Sequence, residues 1–102
     1  MAEMELIFHV DPGHGWLQVP SKVIRDLHLQ LTSYSYVSAC GNYTYAEEDC
    51  DAGTVIRALR ARGFDVLVKE SLWEQRFPEM FNLLYIGTAE ADHALGNAGA
   101  LA

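Results

Sequence analysis

Residues 5–19, ELIFHVDPGHGWLQV, decide the fold. Leu6, Phe8 and Val10 alternate with Ile7, His9 and Asp11, the period of a strand with one buried face. Pro12-Gly13-His14-Gly15 is a run of turn formers, and Trp16-Leu17-Gln18-Val19 alternates again. With residues 12–15 as the loop, Val10 faces Leu17 and Phe8 faces Val19, which builds one apolar face. His9, Asp11, Trp16 and Gln18 share the other. Gly13 and Gly15 flank His14 in a tight loop, so one or both are expected at positive φ.

On the C-terminal side, Ser21 reads as the N-cap of a helix carrying Val23, Ile24, Leu27 and Leu31, ending near residues 30–32. Residues 33–50, SYSYVSACGNYTYAEEDC, read as a second hairpin around Gly41-Asn42. That register sets Tyr36 against Glu47 and Tyr34 against Asp49. One face then carries Tyr34, Tyr36, Tyr43, Tyr45, Glu47 and Asp49; the other carries Ser35, Val37, Ala39, Thr44, Ala46 and Glu48. Asp51 caps a second helix, Ala52 to Arg62, with Val55, Ile56 and Leu59 inward and Gly63 as its C′ residue. Residues 64–69 form a strand, and Ser71-Leu72-Trp73-Glu74 is a capping-box pattern for a short helix through Phe77. Residues 79–87 fit helix or strand, and 89–95 fit a weak helix. The expected fold is α+β: an antiparallel sheet of two hairpins plus a further strand, with two or three short helices on one side. Residues 1–95 make one domain, and 96–102, GNAGALA, a flexible C-terminal tail.

Composition narrows the function. The 102 residues are half apolar, too rich for a disordered chain, and long enough for one domain only. No apolar run reaches the roughly 18 residues of a membrane helix, and MAEMELIFHVD lacks the basic start of a secretory signal. A cytoplasmic location and two free thiols, Cys40 and Cys50, are therefore expected. The net charge is −7, and residues 1–51 contribute −6 of it, with eight acids against two bases. Sequence-independent binding to a phosphate backbone is not expected of such a chain, because that binding comes from Lys and Arg neutralising phosphates. The chain suits a partner with a basic surface.

Two segments, DPGHGWLQVP and YAEEDCDAG, together resemble the signature of a family of small bacteriophage, prophage and plasmid proteins. The resemblance rests on Asp11 to Leu17, Val19, Tyr34, Ser35, Tyr36, Tyr45, Glu47, Glu48, Asp49, Asp51 and Ala52, and covers residues 5–70. It implies an accessory role on a mobile element and transfers no activity.

The expected function is a non-enzymatic acidic binding protein, plausible as an anti-defence inhibitor of the anti-CRISPR or anti-restriction type. The expected contact residues are Tyr34, Tyr36, Tyr43, Tyr45, Glu47, Asp49, His14 and Trp16, because tyrosine joins apolar area to a polar tip and carboxylates meet basic groups. No cofactor, membrane or direct nucleic-acid contact is expected. The alternative is a small metal-binding or metal-dependent enzyme site at His9, Asp11 and His14, which are acceptable ligands for Zn²⁺. Against it, Asp11 fits an ordinary role capping its own turn. Cys50, between Asp49 and Asp51, is a poor nucleophile, because flanking carboxylates raise a thiol's pKa.

Overall fold

The computed structural model describes residues 2–81 and 83–100. Its elements are β1 (Glu3–Val10), β2 (Gly15–Pro20), α1 (Ser21–Asp26), β3 (Tyr36–Ser38), β4 (Tyr43–Glu47), α2 (Ala52–Ala61), β5 (Asp65–Leu72), a 3₁₀ turn (Phe77–Met80), β6 (Leu83–Tyr85) and α3 (Ala89–Ala100). The strands form one sheet in the order β5-β1-β2-β4-β3-β6. The expectation of a purely antiparallel sheet is corrected here. β5 pairs with β1 in parallel along its whole length, from Glu3 opposite Asp65 to Val10 opposite Leu72. A second additional strand, β6, closes the other edge against β3. The parallel pair is possible because 54 residues separate the end of β1 from the start of β5, ample chain for a crossover.

Both hairpins form with the expected faces but in a register displaced by two residues. Phe8 lies opposite Leu17 and Val10 opposite Gly15; Tyr36 lies opposite Tyr45 and Val37 opposite Thr44. A two-residue slip preserves side-chain parity, so no residue changes face. The causes are local. Asp11 donates its backbone N–H to the His14 carbonyl at 2.9 Å, which makes the first loop residues 11–14. Ser38 Oγ accepts the Tyr43 N–H at 3.1 Å, which opens the second loop to residues 39–42.

Leu6, Leu17, Val19, Ala46 and Val66 face Ile24 of α1 and Val55 and Leu59 of α2, while Val37 packs on Ala91 and Ala94 of α3. The three helices thus share one side. α1 stops earlier than expected. His28 takes φ 52°, its N–H donates to Arg25 O and that of Leu29 to Ile24 O, a Schellman ending built on a histidine. α2 ends the same way on Gly63, φ 88°, in the C′ place expected of it.

The other side of the sheet is covered in part. Ser71 and Leu72 remain in β5, because pairing with β1 continues to Val10 and overrides the capping-box pattern. The chain then turns back across the sheet, and Phe77, 1 % exposed, seats against Trp16, Tyr36 and Tyr45. α3 runs through Gly96 to Ala100, part of the expected tail; Leu101 and Ala102 lie outside the described residues. Among the described residues no helix is long and apolar enough to cross a membrane.

A candidate binding cleft on the aromatic face

The turn after β1 is organised by one carboxylate. Asp11 Oδ1 accepts the N–H groups of Gly13 and His14, both at 2.9 Å, and Oδ2 accepts that of Phe77 at 2.8 Å. Asp11 therefore shapes its own loop and ties the covering segment to it. Burial alone would push its carboxyl up, but the three backbone donors, from Phe77, Gly13 and His14, together with the nearby His14, hold it below the usual value. A depressed carboxylate contributes stability that is present above its unfolded pKa and lost as pH falls through the folded one. Asp11→Asn should therefore lower the melting temperature at neutral pH and flatten its fall on acidification. A parallel pair of wild-type and variant melting curves on the acid side would contradict this role.

Neither Gly13 nor Gly15 has positive φ; that conformation belongs to Gly41, Gly63 and Gly87 among the glycines. Gly15 leaves room for a side chain instead. A Cβ there would lie 2.5 Å from Phe8 Cζ, because the ring of the paired strand covers it. Its carbonyl accepts the Glu48 N–H at 2.9 Å, which joins the first loop to the acidic segment.

That segment is held by hydrogen bonds to two buried acids, Glu47 and Asp51. Glu47 Oε2 accepts the N–H groups of Asp49 and Cys50 at 2.8 and 2.9 Å. Asp51 stands at the N-cap position of α2 but makes no capping bond with its side chain. Its carboxylate faces the loop before β3, accepting from Thr32 N–H, Thr32 Oγ1–H at 2.8 Å and Ser35 Oγ–H. Ser35, fully buried, accepts the Glu47 N–H at 2.9 Å in turn. The Ser-Tyr-Ser-Tyr stretch and the Glu-Glu-Asp-Cys-Asp stretch are thereby joined through one hydroxyl.

This scaffold frames a cleft of about 300 Å³ lined by His14, Trp16, Tyr34, Tyr36, Glu47, Asp49, Cys50 and Arg76. It shares His14, Tyr34, Tyr36 and Arg76 with a wider groove of about 760 Å³ extending past Tyr85 and Thr88. Six of the expected contact residues converge here: Tyr34, Tyr36, Glu47, Asp49, His14 and Trp16. Tyr43 and Tyr45 do not. Tyr43 is exposed opposite Pro20, and Tyr45 is half-buried against Phe77. Cys50 and Arg76 were absent from the expected set. Arg76 enters because the covering segment, expected as a helix through Phe77, instead bends at residues 74–75 and leaves Arg76 extended, φ −62° and ψ 113°, just before the 3₁₀ turn.

Two features define the chemistry of the cleft. Trp16 is 2 % exposed, and its Nε1–H is the one buried side-chain polar atom without a hydrogen-bond partner among the described residues. Tyr36 stays protonated at ordinary pH: burial and the adjacent Tyr85 hydroxyl push it up to about 12, against the opposing pull of Arg76. The Cys50 thiol is also raised, by desolvation, its hydrogen bond to Glu47 and the surrounding carboxylates, consistent with a poor nucleophile. Cys40 and Cys50 are both exposed free thiols.

His9, Asp11 and His14 are not assembled as a ligand set. His9 Nε2 pairs with Gln18 Oε1 at 2.6 Å, and Nδ1 accepts the Trp73 indole N–H at 3.0 Å. Both Asp11 oxygens are occupied by backbone N–H groups. The metal-ligating side chains that do gather, within 4.8 Å among the described residues, are Glu47, Glu48 and Asp49. Compared with known proteins, the chain matches no family model, no curated protein and no solved structure.

Proposed function

We propose that this chain is a non-enzymatic binding protein of a mobile genetic element, and that its cleft receives a basic side chain from a host protein. The observation that carries this reading is the convergence of Trp16, Tyr34 and Tyr36 with Glu47 and Asp49 on a single cleft, two carboxylates against the one guanidinium of Arg76 that also lines it. A guanidinium stacks on aromatic faces and pairs with carboxylates, so such walls suit arginine better than any neutral group. The unpaired Trp16 N–H adds a second requirement. Leaving a buried donor unmade costs about 1–3 kcal/mol, and a small shift of the indole on binding would let a backbone carbonyl beside the bound arginine satisfy it. The concentration of negative charge in residues 1–51 supports attraction of a basic surface at longer range. The mobile-element assignment rests on the resemblance of the two cleft-framing segments; an inhibitor of a host defence complex is the role that joins it to a basic partner.

The test is fluorescence anisotropy with a short arginine-rich peptide over a salt series. Affinity should fall with salt, and Asp49→Lys should weaken it about tenfold. Asp26→Lys makes the same change of charge at the exposed end of α1, away from the cleft, and should have a much smaller effect. Binding that ignores salt, or that responds equally to both variants, would overturn the cleft as the recognition site.

A further inference from the structure

β5 forms one edge of the sheet, eight residues long, and among the described residues no strand pairs with its outer side. A long open edge carries unpaired backbone donors and acceptors and is a template for another strand. Its orientation is fixed by two hydrogen bonds at its ends. Asp65 N–H donates to Ala2 O at 2.8 Å and Trp73 N–H to Val10 O at 2.8 Å. The odd-numbered residues therefore turn their backbone groups to β1, and Val66, Val68 and Glu70 turn theirs outward. The edge is also apolar for an exposed strand: Leu67 is 42 % and Val68 43 % exposed, with Ile7 of β1 at 39 % on the same face as Leu67.

We infer that β5 pairs antiparallel with β5 of a second copy of this chain, with Leu67 on the two-fold axis, to make a continuous twelve-stranded sheet. The charge pattern selects this register. A two-fold antiparallel pair has its axis perpendicular to the sheet, so opposed residues share a face and differ by an even number. With Leu67 on the axis, Asp65 faces the second copy's Lys69, and Lys69 its Asp65. Val66 and Val68 then oppose one another, with their outward backbone groups forming the ladder. Leu67 meets its own copy at a non-hydrogen-bonded pair, where side chains approach most closely. Moving the axis to Val68 sets Leu67 against Lys69, and moving it to Lys69 sets like charges together.

Lysine on an edge strand is a usual guard against such pairing. Lys69, however, is tied to Glu5, at 3.3 Å with both side chains largely exposed, a pair of little energetic weight. In the self-paired register it meets a carboxylate instead of blocking the edge. The second copy is favoured over a foreign strand because the segment is complementary to itself in charge, apolar pattern and backbone phase at once. This inference concerns the edge opposite β6 and is independent of the cleft reading.

The experiment is sedimentation velocity on the full chain, from micromolar to millimolar, with three variants checked for folding by circular dichroism. The wild type should dimerise with concentration. Asp65→Lys or Lys69→Asp alone places like charges opposite at both symmetric positions and should weaken the dimer roughly tenfold. The double variant Asp65→Lys/Lys69→Asp restores complementarity and should recover most of the affinity. A wild type that stays monomeric overturns the proposal. A dimer indifferent to the single changes, or one that the double change fails to restore, also overturns it.

Discussion

Gly41→Ala should destabilise the fold by about 3 kcal/mol and loosen α3 from the sheet. Gly41 has φ 84°, a conformation L side chains resist, and a Cβ there would lie 1.9 Å from the Ala94 carbonyl oxygen. That oxygen belongs to a helix backbone, so relief requires moving the helix. α3 rests on Val37 through Ala91 and Ala94, small side chains that permit the close approach, with Leu95, Leu84 and Ile86 packed around them. Gly63→Ala isolates the two terms. Gly63 has φ 88° with nothing within 4 Å, so it carries the conformational cost alone, about 1 kcal/mol. Urea denaturation gives the stabilities, and hydrogen exchange of α3 amides reads the local effect. Equal losses in the two variants would contradict a close contact between the second hairpin loop and α3.

Asp51→Ala should cost about 2–3 kcal/mol, more than loss of an ordinary helix cap. The carboxylate is buried and accepts from Thr32 N–H, Thr32 Oγ1–H and Ser35 Oγ–H; Thr32 is exposed and can turn to water, but removal of the carboxylate strands the fully buried Ser35 hydroxyl and unties the loop before β3. Ser35 also orders Glu47 through the Glu47 N–H, so the damage should spread to the cleft wall. Ser35→Ala should reproduce part of the loss, and the double variant should lose less than the sum, because the two side chains act through one bond. Urea midpoints of the four proteins check this. Additive losses would mean that Asp51 and Ser35 act separately.

The parity of each hairpin was legible in the sequence because alternation survives any even slip. Phe8 and Leu17 point to the helices whether the loop begins at Asp11 or Pro12. The slip itself depended on side chains acting on backbone: Asp11 closing its turn and Ser38 holding Tyr43 N–H leave no trace in a hydrophobic pattern. The parallel partner of β5 was hidden for a different reason. Residues 64–69 read as a strand, yet nothing local states which strand lies beside it. Ser71-Leu72-Trp73-Glu74 misled because a cap preference worth about 1 kcal/mol competes with a ladder already running to Val10. Once Phe77 is tied down by Asp11, the tyrosine face becomes partly interior. Tyr45 is half-buried as a result, while Tyr34 stays open to solvent. The convergence of His14, Trp16, Glu47 and Asp49 follows from linked loops distant in sequence. Arg76 was missed because it rides on the covering segment.

The central claim, that the cleft receives an arginine and its neighbouring carbonyl, is tested most directly by the two indole N–H signals in a ¹H–¹⁵N NMR titration with the arginine-rich peptide. The chain has two tryptophans, and among the described residues only Trp73 has an acceptor, His9 Nδ1 at 3.0 Å. The Trp16 indole proton should move downfield on saturation as it gains a hydrogen bond, with the Tyr34 and Asp49 amides shifting alongside it, while Trp73 stays in place. Peptide binding that leaves the Trp16 signal unmoved would contradict the claim.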